Sequence, residues 1–178
     1  MKTTLLLQKY DLRKEASKDS VADTVRSAVT ALGLTIIEEQ LDKPWGVEFK
    51  ISEAQAKEFL EGFFDADSLP AALVEKPAGP KVLVIEDSRR LSWHVHERKE
   101  ACLCVLHGVV SVSVSMTDEE LQPVLTHKDA LIHVPPLIRH RLGSTDGWAI
   151  LAEIARNVFP NQPSDDFDTR RISDDFGR

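Results

Sequence analysis

The sequence is short of cysteine, of basic charge and of long apolar runs, and each shortage removes a class of protein. Only Cys102 and Cys104 are present, one residue apart and too close to bridge easily, so no disulfide framework is expected and a reducing, cytoplasmic compartment fits. Lys and Arg number 22 against 29 Asp and Glu, a formal charge of −7, and the cations are scattered rather than clustered. Phosphate backbones and anionic lipid are therefore poor partners. The opening "MKTTLLLQKYDLRKE" holds one apolar run far shorter than a signal-peptide core or a membrane span, with charges straight after it. No internal repeat is visible, and only the acidic tail is low in complexity.

What is present is enough for one ordinary domain: 178 residues, 42% of them apolar. In "SVADTVRSAVTAL", Val21, Val25, Ala28, Val29 and Leu32 make a helical stripe, with Ser20 placed to cap the start and Gly33 to end it. "LTIIEEQ" and "VEFKI" read as strands on either side of the turn "KPWG". Ser52 and Gln55 form a capping box before a second helix in "EAQAKEFLEGFF", and the prolines of "SLPAALVEKPAGPK" stop regular structure after it. Beyond Gly79 the chain turns to short apolar runs between turn signals, the rhythm of an all-β sandwich or barrel. In "VSVSVS", Val110, Val112 and Val114 share one face, as in a strand with one dry side. The expected organisation is an N-terminal α/β elaboration of two helices over residues 1–80, a barrel over 81–160 and a polar tail over 161–178. Two short helices cannot enclose a core alone, so the first part is expected to fold onto the barrel as one unit.

Chemistry concentrates in "SWHVHERKEACLCVLHG". Residues two apart on a strand share a face, so His94 and His96 project side by side. Glu100 follows a short charged turn and, if a paired strand starts there, meets the histidines on a face shared with Cys102 and Cys104. "PPLIRH" offers His140 after a proline turn. Three neutral imidazoles and a carboxylate suit a divalent transition metal with coordination positions left open, a catalytic type of site. His107 in a turn, His127 in a polar loop and His133 are not expected as ligands.

These residues carry a family resemblance. "HVHERKE" resembles the first motif of the cupins, His-x-His, a short gap, then Glu with a glycine beyond. "PPLIRH" is similar to the second, Pro-x-Gly-x-x-His, with Leu137 where glycine is usual and Ser144 where asparagine is frequent. The resemblance implies a mainly β fold, the double-stranded β-helix or jelly-roll barrel. It also implies His94, His96, Glu100 and His140 as inward-pointing ligands of a divalent metal: zinc first, with manganese, iron, cobalt or nickel as alternatives. "KPWG" and the closing "RRISDDFGR", with "HRLGS" after His140, resemble the segments that flank the domain in phosphomannose isomerases of the cupin type. The resemblance runs from about Lys43 to Arg178, and the first forty residues carry none.

The activity so implied is aldose–ketose isomerisation of a sugar phosphate, mannose 6-phosphate being the reference substrate. Moving a proton between adjacent carbons through an enediolate needs an electrophile on the two oxygens and a base above the carbons. The metal supplies the first. For the base the sequence offers Glu153, an acid inside the apolar "WAILAEIAR" and costly to bury without purpose or partner; a solvent-facing position or pairing with an arginine is the competing account. Lys43, Arg139, Arg141 and Arg178 are candidates for the phosphate, although strand alternation sends Arg139 and Arg141 away from the face of His140. Trp45, like Trp93, could line a sugar-sized pocket, though tryptophans are more often core. An iron dioxygenase and a non-catalytic cupin that binds a sugar or metabolite are alternative readings of the same ligand set. The expected partners are a small sugar or sugar phosphate and a second copy of the chain paired through barrel edges, with no nucleic acid and no membrane.

Overall fold

The described residues hold eleven strands: β1 (Ile36–Gln40), β2 (Gly46–Ile51), β3 (Ala78–Ile85), β4 (Trp93–His96), β5 (Lys99–His107), β6 (Val110–Ser115), β7 (Val124–Thr126), β8 (Leu131–Val134), β9 (Arg139–Ser144), β10 (Ala149–Asn157) and β11 (Thr169–Ser173). This is a computed structural model, and it describes Leu12 and residues 15–159, 161–164 and 168–177. The N-terminal apolar run and Arg178 lie outside the described residues. A six-stranded sheet in the order β1-β2-β3-β10-β5-β8 faces a five-stranded sheet in the order β11-β4-β9-β6-β7. Every strand pairing described is antiparallel.

The centre of the six-stranded sheet, β3, β10 and β5, is covered on both faces, which is why "KVLVI" and "WAILA" read as continuous apolar runs rather than alternating ones. Its inner face sends Leu83, Ile85, Leu103, Val105 and Leu151 to meet Val110, Val112 and Leu142 of the other sheet. Its outer face sends Phe49, Val82, Val84, Cys102, Ile150 and Ala152 to meet the helices through Val21, Val25, Phe59 and Phe63. β1 and β2, from the N-terminal half, extend the same sheet beside β3. In β6 the valine face is dry only in part: Val110 and Val112 are buried, while Val114 is 43% exposed at the barrel end.

Helix α1 (Lys18–Ala31) buries the expected stripe but starts before Ser20, because the side chain of Ser17 caps it and accepts from the Ser20 amide. Gly33, at φ 77°, ends it. Helix α2 (Ala56–Phe63) follows a single 3-10 turn, and the expected capping box does not form. The Gln55 side chain instead accepts from the Thr35 amide and donates to the Gly33 carbonyl, tying this turn to the end of α1. A short helix α3 (Ala71–Glu75) occupies the proline-rich stretch and buries Leu73. The "KPWG" turn has a packing reason: Trp45 enters the barrel core, and a Cβ on Gly46 would lie 1.9 Å from the Val84 carbonyl oxygen.

Candidate metal centre

β4 and β9 are neighbours in the five-stranded sheet, with His94 directly opposite His140. Period-two alternation then turns His94, His96 and His140 into the barrel together, with one possible ligand atom from each lying within 4.8 Å of the others. All three are buried. The Nδ1 of His94 meets the Ser92 carbonyl at 2.8 Å and that of His140 meets the Ile138 carbonyl at 3.2 Å, so these Nδ1 atoms carry the proton and leave Nε2 for a ligand. Nδ1 of His96 stands 3.5 Å from the Thr169 hydroxyl and 3.8 Å from the Asp168 carboxylate. Burial holds all three imidazoles neutral, His96 down to about 2 and His140 to about 4, the state in which they bind a metal. These three residues could hold a metal ion, and borderline nitrogen donors fit a divalent transition metal.

Glu100 is not brought into this group. β4 and β5 are not a hairpin; they belong to different sheets, and residues 97–98 form the corner between them. Across that corner the residue that turns inward beside His96 is Lys99, followed on the same face by Ala101 and Leu103. Glu100, Cys102 and Cys104 therefore lie on the outer face of the sheet, where the cysteines pack in the core beneath the helices. Glu100 accepts from Arg156, its direct partner on β10, and is 2.8 Å from Nε2 of His133. Burial opposes its ionisation, but those two partners hold its carboxyl below the usual range. Cys102 is likewise outside the barrel, and burial pushes its thiol up to about 12.

Glu153 faces inward and is buried. Its carboxylate accepts from Lys99 Nζ at 2.9 Å and lies 3.5 Å from Lys81 Nζ, which is also 3.9 Å from Glu48. Burial works against its ionisation, yet the two lysines hold it well below the usual carboxylate range. Burial correspondingly lowers Lys99, with Glu153 opposing. The competing expectation of an arginine partner is replaced by a half-buried lysine pair. An inner pocket of about 50 Å³ is lined by His94, His96, His140, Lys99 and Glu153. It adjoins a cavity of about 570 Å³ bordered by Lys43, Trp45, Lys50, Lys81, Lys99 and Arg171.

Lys43 and Trp45 are thus at the cavity, while Arg139 and Arg141 are not. Arg139 bonds Asp118 and the Met116 and Leu137 carbonyls outside the barrel, and Arg141 bonds Ser173 and pairs with Glu120. Arg178 is outside the described residues. Sequence reasoning missed Lys81, Lys99 and Arg171. The first two were detectable as charges at inward parity in apolar strands. Arg171 was not, because the segment taken as tail supplies β11, paired to β4. The glycine position of the second motif is also accounted for: Leu137 sits at φ 66°, a conformation that favours glycine, and its amide donates to the His96 carbonyl.

No family model and no curated relative matches the sequence. Solved structures do match. CapF, a capsular polysaccharide assembling protein of Staphylococcus aureus, is 14% identical over 86% of this chain and 36% of that one, with a TM-score of 0.51. A mutant oxalate decarboxylase of Bacillus subtilis is 13% identical over 75% and 30%, with a TM-score of 0.52. Together with two facing antiparallel sheets, these settle the architecture. The fold is the cupin barrel. A sugar phosphate isomerase from a cupin superfamily of Silicibacter pomeroyi, 12% identical over 61% of this chain and 59% of that one, has a TM-score of 0.41, too slight a likeness to bear on function. The chain spans about a third of the length of the first two, and at such identities the likeness is one of fold alone. Among the described residues no helix is long and apolar enough to cross a membrane.

Proposed function

We propose that this cupin is a metal-dependent aldose–ketose isomerase acting on a phosphorylated sugar, with zinc as the first candidate metal. The observation that carries the reading is the joining, in one cavity system, of three convergent imidazoles, the Glu153–Lys99 pair and a wall containing Lys43, Lys50 and Arg171. A bound divalent ion would supply polarisation of the sugar's carbonyl and hydroxyl oxygens. Glu153, ionised and buried beside the histidines, is the group that accepts the proton from one carbon and returns it to the next. As it stands the two lysines make it a weak base. An anionic substrate arriving beside Lys81 and Lys99 loosens their hold and raises its basicity, so substrate charge and base strength rise together. The cationic wall gives the phosphate its counter-charge.

The test is incubation of metal-loaded protein with mannose 6-phosphate in deuterated water. Fructose 6-phosphate with deuterium at the second carbon, lost in His140→Ala and in Glu153→Gln, is the expected result. No turnover across a panel of sugar phosphates and free sugars, with oxygen consumed on another small substrate, would replace the isomerase with an iron dioxygenase.

A further inference from the structure

We infer that Asp168 is the positioning residue for His96, and that it fixes the corner between the two sheets on which the metal centre depends. This rests on the reading of His94, His96 and His140 as metal ligands. The Asp168 side chain is 1% exposed although it sits just before β11, in a segment rich in polar residues. Its Oδ1 accepts from the Glu97 and Arg98 amides, both at 3.0 Å, and from Arg98 Nε at 3.3 Å. Its Oδ2 accepts from the Ser164 hydroxyl at 2.7 Å and faces His96 Nδ1 at 3.8 Å.

Glu97 and Arg98 are the whole of the corner between His96 on β4 and Lys99 on β5. One carboxylate therefore closes the corner that decides that His96 and Lys99 both turn inward. His94 and His140 have backbone carbonyls behind Nδ1, fixed by their own strands. For His96 the groups behind Nδ1 come from the C-terminal segment: β11 places Thr169 opposite His96, and the Asp168 carboxylate, which precedes it, stands 3.8 Å away. A carboxylate behind the imidazole selects the Nδ1–H tautomer, turns Nε2 to the cavity and makes it a better donor, whereas the neighbouring Thr169 hydroxyl could equally donate to Nδ1 and select the opposite tautomer.

The experiment uses the full chain and Zn²⁺ alone, with no substrate. Chelator competition should show Asp168→Asn binding Zn²⁺ about 10- to 100-fold more weakly than the unsubstituted protein under conditions where both are folded, the loss usual for such outer partners. Thr169→Val should bind as the parent does. A purely structural role would lower the denaturation midpoint and leave the affinity of the folded protein unchanged. Zn²⁺ affinity of folded Asp168→Asn within twofold of the parent overturns the inference. Should Asp168→Asn not fold, nitrogen chemical shifts of His96 in the metal-free parent decide: the Nδ1–H tautomer supports the role of Asp168 and the Nε2–H tautomer overturns it. Failure of the parent to bind Zn²⁺ overturns the metal reading, and this inference with it. That result is distinct from parent-like binding by Asp168→Asn, which overturns the role of Asp168 alone.

Discussion

Replacing Glu153 by Gln keeps the shape of the side chain and removes a buried charge that sits between two half-buried ammonium groups. In the native protein its carboxylate lies 2.9 Å from Lys99 Nζ and 3.5 Å from Lys81 Nζ. At the effective dielectric that suits protein sites, each of those pairs is worth about 5 kcal/mol of gross attraction, against several kcal/mol per ion of desolvation. The intact network therefore contributes little net stability, but breaking it does not. Removing Glu153 takes the carboxylate from Lys99 beside Lys81, which keeps Glu48 at 3.9 Å, and loss of one partner of a buried pair costs about 3–5 kcal/mol, a large share of the stability of an ordinary domain. The pH dependence carries a sign. Lys99 is lowered in the folded state by burial, and without Glu153 it falls further. Between the folded Lys99 value and the unfolded lysine value the unfolded chain holds a proton that the folded one has lost, so in that window Glu153→Gln should gain stability as pH rises, and over a wider range than the parent. The double variant Glu153→Gln, Lys99→Met should recover most of the loss by removing the stranded cation. Urea denaturation of the parent, Glu153→Gln, Lys99→Met and the double variant at several pH values measures these. A Glu153→Gln loss under about 1 kcal/mol, or a double variant whose loss is the sum of the single ones, would refute the buried network.

Glu100→Gln should retain full zinc stoichiometry by elemental analysis while losing about 1–3 kcal/mol of stability, because the side chain serves Arg156 and His133 rather than the centre; loss of the metal would restore it as a ligand. Leu137→Gly should stabilise the fold by about 1 kcal/mol in thermal or urea unfolding, since its φ of 66° strains any residue with a Cβ and its side chain is 57% exposed; a destabilised variant would show that the leucine packs. The metal-free protein should lose stability as pH falls below about 6.5, the unfolded histidine value, because burial keeps His94, His96 and His140 from taking the proton that the unfolded chain takes. The slope is at most about 4 kcal/mol per pH unit for three protons, and His140→Gln should flatten it by about a third. An acid arm unchanged in that variant would show that other groups set it.

The sequence by itself determined what depends on local periodicity. Alternation put His94 and His96 on one face, the "PPLIRH" turn delivered His140 to the next strand, and the stripe from Val21 to Val29 made α1, because these depend only on neighbours a few residues apart. Glu153 was visible as a charge misplaced in an apolar strand, and the parity that sends Arg139 and Arg141 outward was correct. What only the tertiary structure decided is which strands share a sheet. The two residues between His96 and Lys99 read equally well as a hairpin turn, which would face Glu100 toward the histidines, or as a corner between sheets, which faces Lys99 inward. The strand pairing of the whole barrel makes the choice, and Asp168, some seventy residues away, holds the resulting corner by accepting from the Glu97 and Arg98 amides. The same long-range pairing makes a strand of β11 and carries Arg171 to the cavity, and the lysines around Glu153 meet it only because β3, β10 and β5 lie side by side. Parity along one strand is a local property. The face that parity refers to is set by contacts distant in sequence, and no local pattern records them.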